Sequence, residues 1–440
     1  MHEKRKNIIK RIFFILLTCM IALGITYKLS KLVERKTSVR MYDDFFDTAK
    51  DIDVLLVGTS HIINGIFPME IYDDFGITSY NFGNDASTMA MSYWTIMNAL
   101  DYASPKLIVL DMYGISTRTK VNNVSFDYIH SAFDAFPISR NKIRMAYDIT
   151  DDPMLDELIR SGDYTDNSKG SPLQVLFNYS VYHNRWNDVK WYDFNINFTS
   201  EKGADSRIGV AEPNNIAEYD GSELNTDNIS FVYLNKIIEE CKSRDIQLLF
   251  VYLPYPSTVS TYREINAAAK VADENNIEFI DLISEDLVNY RTDMFDSISH
   301  LNPSGARKVS YRIGKHISEK YCLVNHKEIE DSISISWNEE YKKYLEFKNS
   351  NIRYTSDASS YLMLLSDSDY EIHIAESKEE LQSYRYLELV HNIESYSGGM
   401  LYSSDIAREE GNDLHIEVYD IASGQIVDLA SICGDSVNHK

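Results

Sequence analysis

The sequence predicts an α/β protein built on a doubly wound parallel sheet, and three observations carry that prediction. Short, strongly apolar runs that end in turns recur: DVLLVGTS at 53–60, KLIVLDMYG at 106–114 and IQLLFVYLPYP at 246–256. Runs of this kind are typical of parallel strands covered on both faces. Between them lie segments with helical spacing, such as 87–102, where Met89, Tyr93, Ile96, Met97 and Leu100 fall on one stripe. The strand–helix alternation continues from about residue 51 to about 325, as in an open sheet with helices on both sides.

The N-terminus reads as a membrane anchor. Residues 1–11 carry five basic side chains (Lys4, Arg5, Lys6, Lys10, Arg11) and one acidic one, Glu3. An apolar run follows from Ile12 to about Tyr27. It is slightly short for a hydrocarbon core of ~30 Å, but Leu29 and Leu32 extend it, and Lys28 and Lys31 have stems long enough to snorkel. The basic flank should stay in the cytoplasm, which sends the rest of the chain out of the cell. No A-x-A cleavage signal follows in GITYKLSKLVERK (24–36), which favours an uncleaved single-pass anchor over a cleaved signal peptide. The expected organisation is a cytoplasmic tail and transmembrane helix at 1–30 and a polar helical stalk at 31–50, with an extracytoplasmic remainder in the cell membrane.

Beyond the stalk, the first strand (53–60) is followed by a second at 77–83 (ITSYNFG), the helix at 87–102, and a third strand at 106–114 entered from Pro105. The polar and aromatic stretch 115–228 has weak periodicity and is too long for a simple loop, so it reads as an insertion containing some helices. A helix at 229–243, the strand at 246–256, a helix at 261–275, a strand at 277–282 and a last helix at 303–320 complete the α/β unit. After about residue 325 the pattern changes. Alternating runs at 370–375, 384–390, 413–420 and 425–432 predict a separate, small β-rich accessory domain within 326–440.

Composition narrows the partners. The 440 residues include 43 Lys and Arg against 67 Asp and Glu, a formal charge of -24. A surface of that sign repels phosphate backbones, so nucleic acid is not an expected partner, and it disfavours non-specific contact with anionic lipid. The four cysteines (Cys19, Cys241, Cys322, Cys433) have no CxxC spacing and predict neither a disulfide framework nor a zinc site. No His/Asp/Glu cluster has ligand spacing, so neither a metal nor an organic cofactor is expected.

Two stretches carry candidate chemistry. Gly58-Thr59-Ser60-His61 directly follows the first strand, and ligands of doubly wound sheets bind beyond the carboxyl ends of strands. Gly58 permits a tight turn that presents Ser60, although a plain N-cap role for Ser60 fits the same string. Far downstream, Asp296-Ser297-Ile298-Ser299-His300-Leu301-Asn302-Pro303-Ser304-Gly305-Ala306 places an aspartate and a histidine just before a helix. A histidine there suits a general base that takes the serine proton, with a carboxylate fixing its tautomer.

Together, GTSH and SHLNPSGA resemble the first and last blocks of the SGNH (GDSL-like) hydrolase superfamily over roughly 51–325. Within it they are similar to the exported branch of alginate O-acetylation proteins and the D-alanyl transfer protein of teichoic acid synthesis. The resemblance implies a flavodoxin-like three-layer fold and a Ser–His–Asp site for acyl transfer or ester hydrolysis, with Ser60 as nucleophile and His300 as base. The family spaces its aspartate three residues before the histidine, where this chain has Ser297. Asp296 is the expected orienting carboxylate, Asp293 the alternative, and a Ser–His dyad the remaining option. The family's oxyanion hole combines a glycine N–H with an asparagine side chain, which implies Gly83 and Asn84 in YNFGND (80–85). No clear asparagine follows the third strand to supply a further donor, and Asp111 at its end stands at the expected edge of the site, where a simple strand terminator is the plainer reading.

In the insertion, Tyr182-His183-Asn184-Arg185-Trp186 sets an arginine among aromatics. Such a group can bind a carboxylate or stack on sugars, and a packed tryptophan with an exposed arginine is the plainer alternative. Similar strings occur in members of the resembled family, which implies a substrate-groove role for His183, Arg185 and Trp186. The stretch DLHIEVYDIASGQIVDLASI (413–432) is similar to the β domain of the interleukin-like EMT inducer, which implies carbohydrate binding; a structural accessory role fits equally.

Two functions are therefore expected. One is an enzyme, an esterase or O-acetyltransferase acting on a cell-surface polysaccharide through acyl-Ser60. The resemblance implies that its donor would be handed over by a multipass membrane acyltransferase. The other is a catalytically inactive protein of the same fold that binds or assembles envelope polysaccharide.

Overall fold

The computed structural model describes residues 2–34, 42, 44–122, 125–164, 170–190, 201–375, 381, 384–402 and 413–440. Five parallel strands form the first sheet: β1 (Val54–Gly58), β2 (Ser79–Gly83), β3 (Leu107–Asp111), β4 (Gln247–Tyr252) and β5 (Glu278–Asp281). Their order is β2-β1-β3-β4-β5. This is the flavodoxin-like order, in which connections from β1 and β3 leave in opposite directions and open a crevice at the strands' carboxyl ends. The strands are shorter than the apolar runs that predict them because the ladder stops where each chain turns toward that crevice. β1, β2 and β3 are buried along their whole length, as expected for a sheet covered on both faces.

Local signals set the helix ends. Asn228 caps the Ile229–Ser243 helix through the amides of Ser230 and Phe231, and Asn302 caps the Pro303–Lys320 helix through Gly305. Each thereby satisfies amides that a helix start leaves unpaired. The Met89–Ala99 helix packs against Ile229–Ser243, and Pro68–Phe75 packs against Pro303–Lys320. The insertion belongs to the same core: Ile129, Phe133, Phe136, Met145 and Ile149 are buried in it. Of the stalk expected at 31–50, residues 35–41 and 43 lie outside the described residues. Tyr42 and Phe45, by contrast, are fully buried against Phe82, so this end of the segment is core rather than polar tether.

A second sheet follows, ordered β10-β9-β8-β6-β7. It comprises β6 (Tyr370–Ile374), β7 (Gly399–Tyr402), β8 (Leu414–Asp420), β9 (Ile426–Cys433) and β10 (Ser436–His439), with its own core around Tyr361, Ile372, Ile393 and Val418. The strand expected at 384–390 is not there. A helix, Leu387–Tyr396, begins inside that stretch and buries Leu389, Val390 and Ile393, whose spacing is that of a helical face. A long helix, Ser332–Tyr354, joins the two units by burying Trp337 and Tyr344 in the first core and Ile352 in the second. Lys348 on this helix reaches Glu70 at 3.1 Å, Asp367 at 2.8 Å and Asp369 at 2.6 Å, and Arg307 meets Asp367 at 3.0 Å. Mutual pairing is what lets these charges stay buried at the junction.

The N-terminal helix runs from His2 to Val33. Its stretch Arg5–Ser30 is long and apolar enough to cross a membrane, and the most apolar part of that stretch is not buried in the protein.

Candidate active site

Four strand ends build the site. β1 ends at Gly58, and the chain turns at once into the short helix Ser60–Gly65. Thr59, not Ser60, is the N-cap, with its Oγ1 accepting from the His61 amide at 3.2 Å. Ser60 is therefore the first helical residue, and its hydroxyl is directed elsewhere. A side chain at position 58 would place its Cβ 2.3 Å from the Asp111 Cβ, so only glycine lets β1 and β3 approach this closely.

The Ser60 hydroxyl lies 2.8 Å from His300 Nε2, across 240 residues of chain. On the other side of the ring, His300 Nδ1 is 2.5 Å from Asp296 Oδ2. The second carboxylate oxygen, Oδ1, accepts the amides of Ile298 (2.9 Å), Ser299 (2.8 Å) and His300 (3.2 Å). The loop is closed at its base, where the Phe295 amide donates to the His300 carbonyl at 2.8 Å and Met294 bridges Leu301. A four-residue spacing between carboxylate and imidazole is thus accommodated by a small loop wrapped around the carboxylate. Partial burial would raise the Asp296 pKa, but the Ser299 amide, the His300 ring and the neighbouring amides hold it down to about 2. With Asp296 ionised, Nδ1 carries the proton and Nε2 is the nitrogen left to accept one from Ser60.

Asp293, the alternative carboxylate, faces away from the histidine. It is fully buried, accepts from Ser304 at 2.9 Å and pairs with Lys308 at 2.6 Å. Its place is under the Pro303–Lys320 helix.

Asn84, just past β2, is buried with its Oδ1 2.7 Å from the Tyr42 hydroxyl, and its amide donates to the Gly58 carbonyl at 3.0 Å. Among the described residues its Nδ2 has no hydrogen-bond partner, a costly state for a buried donor unless a ligand completes it. Gly83, expected to share the oxyanion role, does not offer its N–H, which donates to Asn81 Oδ1 at 2.9 Å. The glycine is needed for packing instead, since a Cβ there would come within 2.6 Å of the Ile63 amide and 2.7 Å of the Thr59 carbonyl.

The expected groove residues stand together in the short helical turn His183–Asp188. Arg185 donates to the Val33 and Glu34 carbonyls at 3.3 and 2.9 Å, capping the C-terminal end of the N-terminal helix. His183 contacts Tyr179, and Trp186 is exposed. None of these contacts brings the three residues to Ser60.

Several residues have a part in the site that the sequence did not assign them. Asp111 is one: its Oδ2 accepts the Thr59 hydroxyl at 2.7 Å and the Thr59 amide at 3.3 Å, and its Oδ1 accepts the Tyr113 amide at 3.0 Å. Burial raises its pKa to about 6 against these bonds. His61 is another. It stacks on Tyr255 at 4.8 Å, meets Tyr113 edge-on at 4.1 Å and lies 6.0 Å from the His300 ring. Burial, followed by the nearby His300, lowers its pKa to about 3, so it forms a neutral wall beside the serine. The 201–217 segment crosses the same rim, bonding to Met294 and Ser297 through Ala211 and Asn214 and setting Arg207 over the Phe295 ring. The string GTSH hinted at His61, and the position of Asp111 at the end of its strand put it at the expected site edge without revealing its bonds to Thr59.

No protein-family model and no curated protein matches the chain. Among solved structures, it is similar to the crystal structure titled "putative acylhydrolase" from Bacteroides fragilis. The identity is 11% and the TM-score 0.30, over 63% of this chain and 94% of that one. Among the described residues, no group of three His, Cys, Asp or Glu side chains is arranged to hold a metal ion.

Proposed function

We propose that this protein is a membrane-anchored serine acyl-transfer enzyme, an esterase or O-acetyltransferase acting on O-acyl groups of a cell-surface polysaccharide. The observation that carries the reading is the unbroken line from Asp296 through His300 to Ser60, with contacts of 2.5 and 2.8 Å. Ser60 Oγ attacks the ester carbonyl as its proton passes to His300 Nε2, and Asp296 stabilises the imidazolium. The Asn84 Nδ2 and the Ser60 amide, at the first turn of a helix, are the groups suited to the oxyanion. The intermediate collapses, the leaving alcohol takes the proton from His300, and acyl-Ser60 remains. An incoming hydroxyl, from sugar or water, reverses the sequence and frees the serine.

Two further observations support the finer reading. The His300 and Asp296 side chains are 18% and 31% exposed, an access that suits a reacting group carried on a polymer. The N-terminal helix, unburied over its most apolar part, has the length and composition of an anchor that would hold the enzyme beside envelope glycan. A multipass membrane acyltransferase supplying the acyl group belongs to the transferase form of the reading.

The test is release of p-nitrophenol from its acetate ester by the full chain in detergent, with mass spectrometry of the Ser60 peptide. The wild type should turn over and gain one acetyl on that peptide. Ser60→Ala and His300→Ala should do neither. Equal rates in all three would remove the serine mechanism.

A further inference from the structure

The end of the N-terminal helix and the insertion enclose a cavity of about 620 Å³. Leu23, Tyr27 and Ser30 line one side, and Phe136, Ile138 and Phe177 line the other. The corner is held by polar bonds. Ser30 Oγ donates to Asn178 Oδ1 at 2.6 Å, Asn178 Nδ2 donates to Glu34 at 3.3 Å, and Arg185 caps the Val33 and Glu34 carbonyls. The insertion therefore has a fixed height along the helix. Around the corner the insertion shows apolar side chains to the outside: Ile138, Leu173, Phe177 and Trp186 are each more than half exposed.

Helix length sets where this corner lies. At ~1.5 Å per residue, the 26 residues Arg5–Ser30 span about 39 Å, more than the ~30 Å of a hydrocarbon core. Leu23, seven residues before Ser30, lies about 10 Å deeper along the axis. A cavity bordered by Leu23 on one wall and by Ile138 and Phe177 on the other opens at the level where the hydrocarbon begins. Tryptophan and large apolar side chains are favoured there. The net charge of -24 removes electrostatic attraction to anionic lipid as the cause of such a contact, leaving apolar insertion as the available force.

We propose that the insertion seats the enzyme on the bilayer surface, with lipid acyl chains occupying the cavity between Leu23 and Phe177 and with Ile138, Leu173 and Trp186 set into the interface. This rests on the reading of the N-terminal helix as an anchor. It deepens that reading, because a seated domain holds Ser60 at a fixed height above the membrane rather than on a loose tether.

The test uses the full chain reconstituted into phosphatidylcholine vesicles whose acyl chains are either brominated or plain. Flotation reads anchoring, and bromine quenching of tryptophan emission reads seating. The expected result is that the chain floats and loses emission in brominated vesicles, and that Trp186→Phe removes part of that loss. Ile138→Trp should add quenched emission, while Tyr354→Trp, exposed on the helix that leads into the C-terminal unit, should add emission that bromine leaves intact. If the chain floats but emission from positions 138 and 186 is the same in both vesicles, the seat is wrong and the anchor stands. If the chain does not float, the anchor and the seat both fall.

Discussion

Asp111, at the end of β3, holds Thr59 twice, through its hydroxyl at 2.7 Å and its amide at 3.3 Å. The residue that follows Thr59 is Ser60, so a buried carboxylate on the neighbouring strand sets the position of the proposed nucleophile without touching it. Asp111→Ala should therefore lower kcat with little change in KM. Displacement of a reacting group by about 1 Å can cost roughly 10²-fold. Steady-state kinetics on the acetate ester checks this; an unchanged kcat would mean the turn is held by other contacts.

The two aspartates of the 293–300 loop should separate cleanly. Asp296→Asn leaves the fold but loses the charge that fixes the His300 tautomer, and a drop of roughly 10⁴-fold in kcat is expected on the serine-hydrolase pattern. Asp293→Asn instead leaves Lys308 buried without its counter-charge, a change that typically costs about 3–5 kcal/mol of stability. Denaturant titration alongside kinetics distinguishes them: the first variant should be stable and slow, the second active at low temperature and readily unfolded.

Asn84→Ala should cost about 10²–10³ in kcat, the usual effect of removing one oxyanion donor. Tyr42→Phe should have a smaller effect of the same kind, since the Tyr42 hydroxyl holds the Asn84 side chain. Gly83→Ala should act on folding rather than on rate, because its Cβ has no room beside Ile63 and Thr59. Soluble yield and melting temperature read that difference.

His61 gives a pH signature. The folded chain keeps its ring neutral down to about pH 3, whereas the unfolded chain protonates it near 6.5. Below 6.5 the unfolded state binds the extra proton, so stability should fall with pH through that window, by up to about 1.4 kcal/mol per unit. His61→Phe keeps the packing against Tyr113 and Tyr255 and should remove this slope. Urea midpoints at pH 7, 5.5 and 4.5 for both proteins test it, and parallel slopes would count against a buried neutral His61.

Much of the frame was legible because it depends on neighbours in sequence. The stripe Met89, Tyr93, Ile96, Met97 and Leu100 announces a helix, and unbroken apolar runs mark β1, β3 and β4. The stretch 384–390 misled because its alternating aromatic residues mimic a strand, while Leu389, Val390 and Ile393 meet the second core as one face of a helix. The bonds of Arg185 to the N-terminal helix were not legible for a related reason. An arginine among aromatics can serve a ligand or a helix end, and only the position of the N-terminal helix shows that Arg185 reaches one.

By itself the sequence determined the alternation of strands and helices, the long apolar N-terminal helix, and the residue types Ser60, His300 and Asp296 at the edges of the sheet unit, since propensity, periodicity and capping act over a few residues. The tertiary structure decided which of these meet. Packing of the sheet in the β2-β1-β3-β4-β5 order brings residue 60 to residue 300. The same packing commits the Gly83 amide to Asn81, turns Asp293 toward Lys308, and places Asp111 under the serine turn. Each outcome depends on which hydrogen-bond partner or counter-charge a buried group finds across the fold. Burial makes an unpaired polar group costly, and no local pattern in the chain encodes that partner.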